Sequence, residues 1–407
     1  MLPEKDHRGA TPGVEAELIL AAIANPATAD SRSRARAAAD KTLDWNELRR
    51  IANWHGVMPL VYRFFVDHAP GAMPACAVGA WRADYTANAL RNLRLARELV
   101  RITSAMDARG IASIALKGPA LAVAAYRNLA LRQFTDLDLL IHEHDLPRAA
   151  DLLSQSGYLP RRYERDHPSG GFFHSSEDEF ASADSHDLVD VHSRLLPPYF
   201  PFAPDGDALW SRAVPVAIEG AEITTLAPAD AMLFLIAHAT KHGWPVLRPI
   251  CDVAALAASE GFDWDAVAAE AEHLRCSRML LLGAILAADL ADAAVPARIL
   301  SAARADARVT RLALRVEARM FSSTGVRAGP FNEWLVPLAA IEGGARRVRY
   351  CADRGLRPTI DDWEFLRLPP LLYPLYWAIR PIRLAVHHGP RLLVRPHFPH
   401  RATTADK

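Results

Sequence analysis

Between residues 111 and 192 helical periodicity gives way to short alternating segments, which limits this chain to a small sheet set among helices. Ile111-Ala112-Ser113-Ile114-Ala115-Leu116 reads as a short buried strand that stops at Lys117-Gly118-Pro119. A helix is expected from Pro119 to about Arg127, followed by a strand over Phe134–Ile141. Asp145 is placed to cap a helix from Leu146 to Ser156 that closes at Gly157. A polar region runs from Arg161 to Glu177. Two strand-like pieces follow, around Phe180 and at Leu188–His192, joined by the turn-forming Ala183-Asp184-Ser185.

The flanks read as helices. Asp44 suits an N-cap before Trp45, with Leu48, Ile51 and Ala52 at helical spacing. A long amphipathic stretch covers about Ala80 to Ala108, its arginines 91, 94, 97 and 101 expected on a solvated face. From Pro228 to about Ala340 the chain is helical again, and the Ala-rich composition favours this. The expectation is an α+β fold: a helical region over 1–106, a small mixed-sheet core over 107–225, a helical domain over 226–345 and a basic, proline-rich and aromatic tail over 346–407.

With 51% hydrophobic and 23% charged residues, a mostly disordered chain is excluded. Lys plus Arg and Asp plus Glu each number 47, a balance that gives no strong nucleic-acid signal. The cysteines 76, 251, 276 and 351 are scattered without a C-x-x-C pair, which argues against a disulfide framework or zinc knuckle and for a reducing compartment. The first twenty residues lack the pattern of a secretory signal, and no apolar stretch reaches the length of a spanning helix. A cytoplasmic protein is expected.

Asp136 and Asp138 lie two apart on an expected strand, so both carboxylates project from one face while Leu137, Leu139 and Ile141 project from the other. Two carboxylates so close repel unless a positive charge lies between them, and hard oxygen ligands suit Mg²⁺. The plainer alternative is an edge strand with two solvated acids, or an aspartate paired to Arg132. Two features favour the metal. Lys117-Gly118 ends a strand and opens a helix, where backbone N–H groups can hold a phosphate. Asp190, between Val189 and Val191, supplies a third strand-borne carboxylate, and three aspartates around two metal ions answer the demands of nucleotidyl transfer.

These residues resemble the uncharacterised nucleotidyltransferase family of the polymerase-β-like superfamily, whose pattern is a glycine motif after the first strand, an acid pair, and a later strand-borne acid. Ala115-Leu116-Lys117-Gly118, Tyr126, Arg132, Thr135-Asp136-Leu137-Asp138-Leu139-Leu140, Gly157-Tyr158 and Val189-Asp190-Val191-His192 carry the likeness. So do His238-Ala239-Thr240-Lys241-His242-Gly243-Trp244, Cys251-Asp252 and Asp263-Trp264. The resemblance implies a nucleotidyltransferase core and transfer of a nucleoside monophosphate from a nucleoside triphosphate to a hydroxyl acceptor, with release of pyrophosphate. It implies Asp136, Asp138 and Asp190 as ligands of two Mg²⁺ ions. Lys117, Gly118, Arg132, Lys241 and His242 become candidate nucleotide contacts, with Trp244 stacking on a base. Pro119 stands where the superfamily usually has serine or glycine, so no hydroxyl is offered there, and 18 positions separate Gly118 from Asp136. A catalytically inactive, nucleotide-binding or scaffold protein of the same fold is the alternative.

Other chemistries find little support. His238 and His242 have metal-ligand spacing, but Ala239 stands where a zinc protease needs glutamate. Neither a G-x-S-x-G elbow nor a P-loop occurs. His192 reads as a hydrogen-bond partner of the acids rather than a base. The tail from Arg367 to Arg401 carries six arginines and no acid among aromatic and aliphatic residues, and its prolines argue against one long helix. That combination suits peripheral contact with an anionic membrane through residues 366–401, or docking of an acidic partner, the plainer alternative being a tail wrapped over the protein's own helices.

Overall fold

The computed structural model describes residues 13–24, 43–160, 177–182, 184, 187–321 and 334–393. Among the described residues, four helices lead in: α1 (Val14–Ile23), α2 (Trp45–Trp54), α3 (Met58–His68) and the long α4 (Ala75–Asp107). Asp44 caps α2 as expected, its carboxylate accepting from the Asn46 and Glu47 amides. The core follows as β1 (Ser113–Ala115), α5 (Gly118–Tyr126), β2 (Asp136–Ile141), α6 (Leu146–Gln155), β3 (Tyr158–Pro160), β4 (Glu177–Ser182), β5 (Leu188–His192), α7 (Gly206–Arg212), β6 (Val214–Ile218) and β7 (Ala221–Thr225). Helices α8 (Pro228–Lys241), α9 (Arg248–Ala257), α10 (Trp264–His273), α11 (Ser277–Ala291), α12 (Ala297–Ala305), α13 (Ala307–Met320), α14 (Val336–Ala340), α15 (Gly344–Leu356), α16 (Ile360–Phe365) and α17 (Tyr376–Leu393) complete the described chain.

The strands form one mixed sheet in the order β3-β4-β5-β2-β1-β7-β6, flanked by helices, which is the expected α+β fold. Strand β2 runs antiparallel to β1 and parallel to β5, while β4 pairs antiparallel with β5. The β6–β7 hairpin, absent from the sequence expectation, turns at Glu219 and Gly220, both with positive φ.

The pleat sorts the two faces of the sheet. Leu137, Leu139 and Ile141 of β2 and Val189 and Val191 of β5 join Leu95, Leu99 and Ile102 of α4 in one apolar cluster, with Leu152 and Leu153 of α6. The opposite face of β1 and β2 contributes Ile114 and Leu140 to a second cluster, which runs on through α1, α3, α8, α9 and α11. Helices before and after the sheet thus share an apolar core, and the acid-bearing face of β2 looks towards them.

One expectation about the flanks is corrected. Arg91 turns inward, its Nε donating to the Phe134 carbonyl, because the loop entering β2 needs donors for its carbonyls. In the tail, Pro370 and Pro374 lie in a separate 3₁₀ segment (Pro370–Leu375), so the tail is not one long helix, but Pro381 does not break α17, which runs through it for 18 residues. Arg380 and Arg383 of α17 both bind Asp362, so this part of the tail packs on its own chain. Residues 394–401 lie outside the described residues, as does the polar stretch 161–176. No helix of the described residues is long and apolar enough to cross a membrane.

Candidate active site

The acid-bearing face is assembled by strand register. Asp138 on β2 stands directly opposite Asp190 on β5, and Asp136 lies two residues before Asp138 on the same face. Asp138 is buried, while Asp136 and Asp190 are half-buried. The register also sets Glu179 of β4 opposite Asp190, adding a fourth carboxylate to the row. Glu179 escapes a reading of the sequence because the strand expected around Phe180 does not reveal the register that sets Glu179 opposite Asp190.

Asp138 is the most closely held of these acids. Its Oδ1 accepts from Lys117 Nζ at 3.0 Å and from His192 Nε2 at 3.3 Å. Burial alone would raise the pKa of the carboxyl, but Lys117 and His192 hold it well below the usual carboxylate range. His192 therefore serves as a partner of the acid set, in line with its position beside Asp190.

Lys117 occupies the N-cap position of α5, and Gly118 follows it with φ +55°. A Cβ on Gly118 would sit 3.3 Å from the Asp136 carbonyl oxygen, so this glycine lets the helix start lie against the backbone of β2. Pro119 occupies the first turn of α5, where its missing N–H costs no helical bond. Lys117 and Gly118 thus stand beside Asp136 and Asp138.

Helix α8 closes the other side. Lys117 Nζ lies 3.4 Å from His238 Nε2 and 5.8 Å from the Phe234 ring centre. An ammonium only donates, so His238 Nε2 is the acceptor. Burial first, and the Lys117 charge next, push the His238 pKa well below its ordinary value and keep the ring neutral. The nucleotide contacts expected on this helix are Lys241 and His242, but His238 is the residue that reaches Lys117. The His242 ring lies with its centre 4.8 Å from that of His238, tilted by 51°, at the end of α8, and Lys241 beside it is half-buried. Trp244 does not present its indole for stacking on a base. It is fully buried and donates from Nε1 to the Thr240 hydroxyl.

Arg132 is paired within the protein. Its Nε and Nη2 grip both oxygens of Asp252 on α9 at 2.9 and 3.0 Å, and the Tyr126 hydroxyl donates to the same carboxylate at 2.8 Å. Burial works against the charge, yet Asp252 raises the Arg132 pKa above its usual value. The guanidinium thus ties the loop before β2 to α9. The sequence carries no sign of this, since Asp252 lies 120 residues away. The loop before β2 is pinned from α4, where Asn88 and Asn92 donate to the carbonyls of Leu129, Ala130 and Arg132. Polar residues at i and i+4 within the buried stripe of a long helix are the one sequence signal for this.

Among the described residues, no three acidic, imidazole or thiol side chains are gathered at metal-binding distance. The donor chemistry nonetheless fits a hard divalent cation: Asp136, Asp138 and Asp190 present carboxylate oxygens on one face, and Asp138 is kept ionised. The cation beside Asp138 in this arrangement is the Lys117 ammonium.

No curated protein and no solved structure matches the chain. A family model described as "Uncharacterised nucleotidyltransferase" matches residues 41–292, more than half of the sequence, spanning the glycine turn, the acid pair, Asp190 and helices α8 to α11. This chain belongs to that family of uncharacterised nucleotidyltransferases.

Proposed function

We propose that the protein is a Mg²⁺-dependent nucleotidyltransferase that moves a nucleoside monophosphate from a nucleoside triphosphate to a hydroxyl acceptor, releasing pyrophosphate. Family membership supports nucleotidyl transfer in general. The observation that carries the finer reading is the register Asp138↔Asp190, which sets two carboxylates from distant segments side by side with Asp136 on the same face.

Asp136, Asp138 and Asp190 would hold the metal. Bound there, Mg²⁺ supplies charge neutralisation for the triphosphate and a lowered pKa for the acceptor hydroxyl. The chain's own groups do the positioning. Gly118 leaves room at the start of α5 for a phosphate to approach the backbone. Lys117, within reach of Asp138 and His238, carries the positive charge best placed to follow a phosphate oxygen. His192 donates to Asp138 and fixes the direction of its carboxylate.

The Lys117–Asp138 ion pair also favours a second reading, in which an internal cation replaces the metal and the protein binds nucleotide without turning it over. One experiment separates them. The purified protein is incubated with each nucleoside triphosphate and Mg²⁺ in the presence of cell extract, and pyrophosphate and mass gain are followed. Transfer that disappears in Asp136→Asn and Asp138→Asn variants of unchanged fold supports the enzyme. Nucleotide binding without pyrophosphate in any mixture supports the non-catalytic protein.

A further inference from the structure

The region after residue 292, beyond the family match, carries a groove that the nucleotidyl-transfer site does not use. Residues of α13, α14 and α15, with Leu335, line an open groove of about 910 Å³. Leu312, Leu335, Leu338 and Val348 line it, and Leu335 and Val348 are 49% and 70% exposed, large values for aliphatic side chains of a folded domain. Its remaining large lining residues are four arginines: Arg308, Arg311 and Arg315 along α13, and Arg347 on α15. Among the described residues, no acid lines it.

Such a concentration of guanidinium groups is normally offset by carboxylates, but here it is not. Arg311 Nε donates to the Ala307 carbonyl of its own helix and Arg347 Nε to the Ile341 carbonyl. Among the described residues, none of the four forms an ion pair. An occupant that covers the apolar floor and brings carboxylates to the arginine rim complements both features. Arg308, Arg311 and Arg315 follow i, i+3, i+7 spacing along one side of the groove, so their Cα positions span about 10 Å at the helical rise. That ladder matches acidic residues repeated along a second helix, whereas a lipid head group offers one concentrated charge. Two turns of an α-helix with its side chains occupy roughly the volume of this cavity.

The geometry points to a docking site for an acidic amphipathic helix of a partner protein. Its apolar stripe lies on Leu335 and Val348 and its flanking carboxylates meet Arg311 and Arg347, the helix-in-groove mode of recognition. This inference is independent of the chemistry proposed at Asp138.

Cys351 makes the site testable, because it lines the groove and is exposed, while the exposed Cys76 lies on α4 and acts as an internal reference. The probe is a synthetic helix-forming peptide of about 14 residues, with leucines at i, i+3, i+4 and i+7 flanked by glutamates. Its control carries lysine in place of every glutamate. Binding to the full chain is read by fluorescence anisotropy, and protection of Cys351 against Cys76 by mass spectrometry after brief alkylation. The acidic peptide is expected to bind, to protect Cys351 alone and to weaken as salt is raised. The double variant Arg311→Glu/Arg347→Glu is expected to lower its affinity by about tenfold or more. Val348→Asp, at an exposed position, is expected to do the same with an unchanged melting temperature. Equal binding of both peptides, binding without protection of Cys351, or affinity unmoved in both variants would overturn the inference. So would capture of the chain by anionic phosphatidylglycerol vesicles, lost in the same variants, with no binding of the peptide.

Discussion

The Lys117 ammonium lies 3.0 Å from the Asp138 carboxylate, on the oxygen that His192 also contacts, joining the glycine turn to the acid pair. Both partners are largely withdrawn from water, with side-chain exposures of 15% and 4%. Removing the lysine leaves a buried charge with only an imidazole to stabilise it.

Lys117→Met is therefore expected to destabilise the fold by about 3 kcal/mol at neutral pH, measured by urea unfolding. The direction of the pH dependence follows from Asp138. Its folded pKa is depressed, so its contribution is present above the unfolded value near ~3.9 and is lost as pH falls through that value towards the folded one. The gap between wild type and variant should be widest near neutrality and shrink below about pH 4. A gap independent of pH would show that the lysine stabilises through packing alone.

Arg132 and Asp252 form a second buried pair, with side-chain exposures of 5% and 2%. Asp252→Leu should cost about 3–5 kcal/mol, because a guanidinium is left buried without its counter-charge. The double change Arg132→Met/Asp252→Leu should cost much less than the two single changes summed. Chemical unfolding of the four proteins gives the cycle. Additive losses would mean that the pair is not coupled. Nucleotide affinity of the folded fraction should be unchanged in the double variant, since the pair ties the loop before β2 to α9.

The two pairs divide what a linear sequence carries from what only the fold supplies. Asp136, Asp138 and Asp190 are legible because alternation on a strand fixes the face of each side chain, and the polarity of that face is written in Leu137, Leu139, Val189 and Val191. Gly118 is legible because a glycine between a strand and a helix marks a tight turn where backbone must approach backbone. Arg132 is misleading because a conspicuous arginine beside an acid pair gives no sign of a partner brought in by a distant helix. His238 and His242 look equivalent because helical spacing gives their shared face but not which end reaches the sheet. The β6–β7 hairpin depends on pairing with its neighbour more than on its own pattern, and Glu179 stays hidden because the expected strand around Phe180 carries no sign of the register that sets it opposite Asp190.

Asp362 organises the start of the last helical pair. It completes a capping box with Thr359 and receives Arg380 and Arg383 while being fully buried. Burial opposes its ionisation, but the Thr359 amide, Arg383 and Arg380 outweigh it and hold the pKa below the ordinary value. Asp362→Asn should release α17, the capping box alone contributing about 1–2 kcal/mol. Amide exchange over residues 376–386 should be faster in the variant than in wild type at neutral pH. With a depressed folded pKa, the advantage of wild type is present above ~3.9 and lost below it, so the two exchange patterns should converge in acid. Equal protection at neutral pH would show that α17 is held by its apolar contacts without this carboxylate.

Gly118 and Gly220 offer a matched pair for the glycine turn. Both have positive φ, +55° and +82°, but a Cβ on Gly118 meets the Asp136 carbonyl oxygen at 3.3 Å while one on Gly220 meets nothing within 4 Å. Alanine at either position bears the left-handed backbone cost of about 1–2 kcal/mol. At Gly118 the methyl group must also push the start of α5 away from β2, which carries Asp136 and Asp138. Gly220→Ala should thus lose stability with nucleotide affinity intact, and Gly118→Ala should lose at least as much stability together with a large part of its nucleotide affinity. Urea unfolding and calorimetric titration with a nucleoside triphosphate measure the two effects separately. Equal nucleotide affinity in both variants would mean that the close contact at Asp136 serves folding alone, and that phosphate is held elsewhere on this face.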